Sequence, residues 1–246
     1  MQATQMLHVV EGSEQERPKS AHLDLPAALA HNLKSPLVGT DMILSSLLRE
    51  GQGPLTSQQR QSLDLIKSSN LHILDMVQEL IEIYRFESKS VELNFEQVVL
   101  ALLIKESLKT FESASTVRSV TLSSNVDNSI VVSADQQALK RLFENLIENA
   151  VKHTPAGGSV DISASVIGNS VEITVRDTGC GIALENPDIL FHRFWQGEPG
   201  KSYAAVTGLG LYLCRQIVEA HRGAIKVSSK PGCGTVFSIT VPLKNS

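Results

Sequence analysis

The segment Ser159-Val-Asp-Ile-Ser-Ala-Ser-Val-Ile-Gly168-Asn169-Ser-Val-Glu-Ile-Thr-Val-Arg-Asp177 alternates apolar and polar residues on both sides of a Gly-Asn pair. A period of two is typical of a strand with one buried face, and Gly-Asn suits the tight turn of a hairpin. The segment therefore predicts two antiparallel strands, 159–167 and 170–177.

Further helices and strands are predicted on both sides of this hairpin. Asp135 suits the N-cap of a helix that runs to about His153, and helical patterns cover residues 100–112 and 208–221. Shorter alternating runs predict strands at residues 91–99, 119–124, 130–133, 224–229 and 235–241. Helices on one face of a mixed or antiparallel sheet fit this order, so an α/β sandwich is expected.

Residues 26–87 have a helical period instead. The breaker cluster Gly51-Gln-Gly-Pro54 divides them into two amphipathic helices, and Thr56 or Ser57 suits the N-cap of the second. The apolar seam of this hairpin is narrow, so we expect two copies to form a dimeric four-helix bundle. Asn70 on the seam either fixes the register or lies slightly off-axis in solvent. The seam consists of Ala30, Leu33, Leu37, Thr40, Leu44 and Leu47, and of Leu63, Ile66, Asn70, Ile73, Val77, Leu80 and Tyr84.

The complete chain is thus predicted to be an α+β protein with three parts. These are a polar N-terminal tail at residues 1–20, a helical dimerisation domain at 21–88 and the sandwich domain at 89–246.

Composition indicates which classes of partner are excluded and in which cellular compartment the protein is expected. A net charge of −4 without a basic stripe argues against nucleic acid. Three cysteines without framework spacing favour a reducing environment, and we expect them to be small apolar fillers. A redox role for Cys180 and Cys233 is a weaker alternative. No window has the roughly 20 apolar residues of a membrane span, so a cytoplasmic protein is expected.

Four short stretches rich in glycine, asparagine and aspartate have residue types that are typical of a ligand-binding site. Asp177 ends an apolar strand and precedes a turn with Gly179 and Gly181, while Gly208 and Gly210 stand at a predicted helix start, where backbone N–H groups favour phosphate. The long connection at residues 182–207 is expected to be a mobile lid. The stretches are Asn145-Leu-Ile-Glu-Asn149-Ala, Asp177-Thr-Gly-Cys-Gly181, Gly208-Leu-Gly210-Leu and Gly232-Cys-Gly234-Thr235.

A distant histidine completes a family pattern. His31 lies off the apolar seam and is followed by Pro36, which costs stability within a helix. With this His-x-x-x-x-Pro spacing and the four stretches, residues 21–242 resemble the transmitter core of a two-component sensor histidine kinase. The resemblance implies a phosphotransfer domain followed by a Bergerat (GHKL-type) ATP-binding domain, with ATP and Mg²⁺ as cofactors.

The resemblance also implies individual roles. His31 is the phosphoacceptor, Asn149 the magnesium ligand and Asp177 the acceptor for the adenine amine, which guanine lacks. Phe191 and Phe194 anchor the lid. Further nucleotide contacts are assigned to Asn145, Lys152, His153, Gly179, Gly181, Arg193, Lys201, Gly208, Leu209, Gly210 and Thr235.

Three positions depart from related patterns. Asn32 replaces the usual acidic residue after the histidine, and Ser35 stands where threonine or asparagine positions water in phosphatase-competent relatives. Asn145 replaces the glutamate that activates water in ATP-hydrolysing cousins, so ATP is expected to persist until His31 arrives.

The expected function is autophosphorylation of His31 and relay of the phosphoryl group to an aspartate of a response regulator. A regulator phosphatase or weak kinase, and a nucleotide-gated scaffold, remain alternatives because of Asn32. The expected partners are a second copy of the chain, a receiver domain and a separate sensor protein, without nucleic acid or a direct membrane span.

Overall fold

The computed structural model describes residues 25–49, 53–88, 92–183, 186–195 and 207–244, and only the backbone of residues 25–31. The predicted polar tail at residues 1–20 lies outside these ranges. Helices α1 (Leu25–Leu48) and α2 (Ser57–Glu87) form the predicted antiparallel hairpin. No described helix is both long and apolar enough to cross a membrane.

Local sequence signals explain how the hairpin is held. Thr56 caps α2 through a capping box with Gln59, as one of the two predicted N-caps. Pro36 lies inside α1, and the Thr40 hydroxyl donates to its carbonyl at 2.9 Å. Asn70 is buried and its Nδ2 donates to the Leu37 carbonyl at 2.9 Å. Of the two alternatives for Asn70, the structure therefore selects the buried one, which links the helices in register.

Part of the predicted apolar seam is exposed in the single chain. Leu44 and Val77 are buried between the helices. Leu33, Ile66 and Ile73 remain about half exposed, at 54%, 52% and 47%. The hairpin alone therefore leaves a row of apolar side chains in contact with solvent.

The rest of the chain is built on a five-stranded mixed sheet in the order β2-β4-β5-β7-β6. Strands β2 and β4 are parallel and the other neighbours antiparallel, whereas β1 and β3 form a separate antiparallel pair. The bounds are β1 (Glu96–Val99), α3 (Leu100–Thr110), α4 (Glu112–Arg118), β2 (Thr121–Asn125), β3 (Val131–Ala134), α5 (Gln136–His153), β4 (Ser159–Ile167), β5 (Ser170–Asp177), a 3₁₀ helix (Pro187–Phe191), α6 (Gly210–Ala220), β6 (Ala224–Ser229) and β7 (Thr235–Pro242).

The helices α3, α5 and α6 cover one face of the sheet. The core lies between them, where α5 contributes Leu139 and Phe143 and the sheet contributes Ile162 and Ile173, all essentially inaccessible to solvent. Alternate residues of β4 on the other face, such as Asp161, are exposed. The predicted sandwich with helices on one face is confirmed.

Some predicted boundaries are wrong. The strand expected at 91–99 is described only as Glu96–Val99, and α6 begins at Gly210 rather than at residue 208. The helix expected at 100–112 ends at Thr110, and the sequence analysis missed α4. Phe111 separates the two helices with φ −103° and ψ 4°, and its half-buried ring packs against the core. Packing of one aromatic residue thus interrupts a run that periodicity treats as continuous.

Candidate functional site

Helix α5 carries two asparagines one turn apart toward the same side. The Asp135 carboxylate caps the helix by accepting from the Ala138 N–H at 2.9 Å. Asn145 is buried, and its Nδ2 makes no hydrogen bond with the described residues. Asn149 is half-buried. A buried amide nitrogen without an acceptor is costly, so Asn145 Nδ2 marks a place where a ligand can supply that acceptor.

Asp177 at the end of β5 is held by backbone N–H groups. Its Oδ1 accepts from Gly179 at 2.8 Å and from Thr235 at 3.1 Å, and neither bond uses Oδ2. Burial raises the pKa of Asp177, and these two hydrogen bonds act in the opposite direction. The two bonds therefore fix the orientation of the carboxylate, and Oδ2 takes no part in the hydrogen bonds of the turn.

Gly179 serves this turn rather than the pocket. A Cβ on Gly179 would lie 2.6 Å from the His153 carbonyl oxygen and 2.7 Å from Asp177 Oδ1. The residue is buried, and its missing side chain lets β5 meet the end of α5; its approach to a ligand stays a prediction.

Gly208 and Gly210 form the entry to α6. Gly208 has φ +69°, and a Cβ there would lie within 2.8 Å of the backbone of Phe194 and Trp195. The Phe194 N–H donates to the Gly208 carbonyl at 2.9 Å, which ties the middle of the segment predicted as a lid to the entry of α6. The first turn of α6 offers backbone N–H groups without helical acceptors.

These elements surround a cavity of about 270 Å³. The predicted site residues in its wall are Asn145, Asn149, Lys152, His153, Asp177, Gly181, Gly208, Gly210 and Thr235. Leu209 is fully buried beside it rather than in the wall. Lys201 lies outside the described residues.

Arg193 and Phe194 do not take the predicted places. The Arg193 guanidinium pairs with Glu87 at the end of α2 and lies over the Tyr212 ring, 4.9 Å from its centroid. Arg193 is therefore engaged with the hairpin instead of lining the cavity. Phe191 is buried against Phe237 as expected of an anchor, but the Phe194 side chain is 58% exposed.

Burial shifts the pKa values of two side chains in the last turn of α5. It lowers the pKa of Lys152, and it lowers the pKa of His153 with a further contribution from the Lys152 charge. Both side chains are half-buried in the cavity wall. A cation and a histidine that favours its neutral form thus stand beside Asn149.

The cysteines divide into two kinds. Cys214 is buried in the core as a small filler, and desolvation raises the pKa of its thiol to about 12. Cys180 and Cys233 are exposed, so the prediction that all three are fillers is wrong for these two.

The contribution of α2 to the cavity was not predictable from a local sequence motif. His72, Asp75 and Glu79 line the cavity from the hairpin side, and no local motif marks them. Arg141 also lies in the wall; its position one turn before Asn145 on α5 could have indicated it. Trp195, the single tryptophan of the sequence, is a further wall residue.

The predicted acceptor lies on α1. The side chain of His31 is outside the described residues, while the adjacent Asn32 and Ser35 one turn later are exposed. Asn70 of α2 donates to the Leu37 carbonyl of α1. Because the helices are antiparallel, six residues towards the N-terminus of α1 correspond to six residues towards the C-terminus of α2. The backbone of residue 31 is therefore expected level with residue 76. That is the stretch of α2 whose residues line the cavity.

Two family models match the chain. Residues 22–89 match the His Kinase A (phospho-acceptor) domain, and residues 134–245 match the Histidine kinase-, DNA gyrase B-, and HSP90-like ATPase. These two domains in this order make up the transmitter core of a two-component histidine kinase.

The relatives that match this chain are longer proteins. Sensor-like histidine kinase SenX3 of Mycobacterium tuberculosis is 30% identical over 238 residues, which are 96% of this chain and 58% of that protein. An uncharacterized sensor-like histidine kinase of Rhizobium meliloti is 34% identical over 220 residues, 88% of this chain and 42% of that protein. The crystal structure of full-length ShkA in complex with AMPPNP has a TM-score of 0.74 at 26% identity, covering 91% of this chain and 46% of ShkA.

Proposed function

We propose that this chain binds ATP with Mg²⁺, transfers the γ-phosphoryl group to His31 and passes it to an aspartate of a response regulator. The observation that carries the proposal is the cavity, in which a fixed carboxylate, a buried amide without a partner and a helix N-terminus converge. The carboxylate fits the base and the helix N-terminus fits the phosphates of one nucleotide, while Asn145 Nδ2 is a donor beside them.

The base end is assigned to Asp177. A carboxylate oxygen accepts from the exocyclic amine of adenine, and guanine presents a carbonyl at that position. The Gly179 and Thr235 N–H groups already occupy Oδ1, so Oδ2 is the acceptor available for the base. The phosphates are assigned to Gly208, Gly210 and the first turn of α6, where the helix dipole favours negative charge.

The metal is assigned to Asn149. Its neutral amide oxygen suits Mg²⁺, which prefers oxygen ligands beside phosphate oxygens. The described residues contain no cluster of three or more acidic, histidine or cysteine ligands, so Asn149 and the nucleotide would share the ion. Bound Mg²⁺ would neutralise charge on the transferring phosphoryl group. Lys152 adds a positive charge on the same side of α5.

The acceptor step is assigned to the exposed side of α1. A neutral imidazole is a good nucleophile near pH 7, because its reference pKa is about 6.5. Asn32 can hold the ring by a hydrogen bond but cannot take its proton. The exposed apolar residues of the hairpin support a homodimer, in which either copy could present His31. A receiver domain is the partner that consumes phosphohistidine.

The decisive experiment is autophosphorylation with γ-³²P-labelled ATP, followed by acid treatment. Wild type and Asn32→Asp should acquire an acid-labile label, whereas His31→Gln should not. His72→Gln is the matched control, since His72 is the histidine of α2 that lines the cavity, and it should still be labelled. Label that persists in His31→Gln and disappears in His72→Gln would assign the acceptor to His72 instead.

A further inference from the structure

One carboxylate of the hairpin lies where the proposed phosphates would bind. Glu79 Oε2 accepts from the Thr207 hydroxyl at 2.6 Å, and the Thr207 oxygen accepts from the Leu209 N–H at 3.1 Å. Glu79 Oε1 lies 3.6 Å from the position of a Cβ on Gly210, the first residue of α6. The carboxylate therefore occupies the entry to the helix N-terminus.

Glu79 is also buried and surrounded by polar groups of the sheet domain. Its residue is 9% exposed, and burial raises its pKa, while the Thr207 hydrogen bond and the Arg141 charge act in the opposite direction. Arg141 lies 4.0 Å from Glu79 and 3.2 Å from Glu82. The cation in the cavity wall is thus held by two carboxylates of α2.

The same face of α2 is docked by apolar contacts. Ile83 is 2% exposed and belongs to the core of the sheet domain, and Met76 and Phe86 pack against that core. At the end of the helix, Glu87 pairs with Arg193 and accepts from the Tyr212 hydroxyl. Ionic and apolar contacts with the sheet domain therefore lie along the same stretch of α2.

We propose that Glu79 is an autoinhibitory carboxylate that occupies the phosphate seat at the start of α6 and is displaced, together with the docked hairpin, by a nucleotide that carries phosphates. Two negative groups repel each other in a partly buried site, so Glu79 and the phosphates exclude one another. The inference rests on the proposed binding of ATP in this cavity. It adds that the hairpin senses whether the nucleotide is present.

The test compares a ligand with phosphates and one without. The full chain, Glu79→Gln and Glu79→Ala are titrated with Mg²⁺-AMPPNP and with adenosine by calorimetry, with Trp195 emission as a second readout. Both variants should bind AMPPNP at least about fivefold more tightly than wild type, which is a usual size for coupling between sites. Their affinity for adenosine should stay within about twofold, since adenosine leaves the phosphate seat empty.

Asp64→Asn is the matched control, because it removes the same charge from the same helix at an exposed position that does not line the cavity. It should change both affinities equally or neither. Glu79 variants that bind AMPPNP no more tightly, or that gain as much for adenosine, would overturn the proposal.

Asn149→Ala separates this failure from failure of the proposed function. If wild type binds AMPPNP and Asn149→Ala weakens binding while Glu79→Gln does not strengthen it, only the autoinhibitory role of Glu79 is wrong. If neither wild type nor the Glu79 variants bind AMPPNP, both proposals fail.

Discussion

At the scale of single residues, Asp177 shows how a backbone turn prepares a side chain for recognition. Two N–H groups fix its Oδ1, so no side-chain rotation has to be frozen when a ligand reaches Oδ2. Gly179 acts through the backbone, because its missing side chain allows the close approach of the His153 carbonyl that shapes this turn.

Asp177→Asn should weaken AMPPNP binding by roughly 5- to 150-fold, because a buried polar group left without its partner costs about 1–3 kcal/mol. Calorimetric titration measures this loss. Asp188→Asn is the control, since Asp188 is exposed and paired with Arg215 outside the cavity, and it should bind like wild type. Unchanged affinity in Asp177→Asn would remove this residue from the base contact.

At the scale of elements, α5 and α6 are tied together at their ends. The buried His221 after α6 accepts the Asp135 N–H at Nε2 (3.1 Å), and its Nδ1 donates to the Ile217 carbonyl at 2.8 Å. This pattern fixes the neutral tautomer with the proton on Nδ1. The helix that carries Asn145 and Asn149 is thus anchored at its N-cap by a histidine 86 residues away in sequence.

Burial lowers the pKa of His221, although the Ile217 carbonyl and Asp135 oppose the shift. The unfolded chain therefore binds a proton more readily than the folded chain. The free energy of unfolding should decrease as pH falls below about 6.5, by at most about 1.4 kcal/mol per pH unit for this one group.

Urea unfolding at several pH values between about 7 and 5.5 measures this dependence. His221→Gln should be less sensitive to pH than wild type, and His192→Gln, at an exposed position, should keep the wild-type dependence. Since His153 also has a lowered pKa, some dependence should remain in His221→Gln. Equal slopes for all three proteins would contradict the role of His221.

At the scale of the whole molecule, the hairpin presents two different faces. One face of α2 is docked on the sheet domain through Ile83, while Leu33, Ile66 and Ile73 of the predicted seam remain exposed. A four-helix bundle with a second copy would bury this second face.

Ile66→Glu should therefore convert a dimer into a monomer, because a charge in the bundle core loses its hydration without gaining a partner. Size-exclusion chromatography with light scattering should give twice the chain mass of 26.7 kDa for wild type and a single mass for the variant. Leu102→Glu, at a 62% exposed position on α3, should remain dimeric. A wild-type chain with the mass of a monomer would contradict this interface.

The sequence alone determined the elements whose signals are local. The strands β4 and β5 agree with the predicted ranges because alternation and the Gly-Asn turn act within a few residues. Asp135 and Thr56 were predictable caps for the same reason. The stretches around Asn149, Asp177 and Gly208 were likewise recognisable, since backbone geometry and ligand chemistry restrict the residue types there. The division into domains at residues 88 and 89 stays a prediction.

Only the tertiary structure decided which distant residues meet at the cavity. Glu79 and Arg193 belong to ordinary helical and loop sequence, and their partners lie more than 100 residues away in the cases of Thr207 and Glu87. Contacts of this kind depend on how α2 docks against the sheet domain. The charge of a side chain alone does not predict which residue it will contact. The sequence therefore determined the parts of a nucleotide site, whereas the packing of the hairpin decided that a carboxylate of the chain itself lies within it.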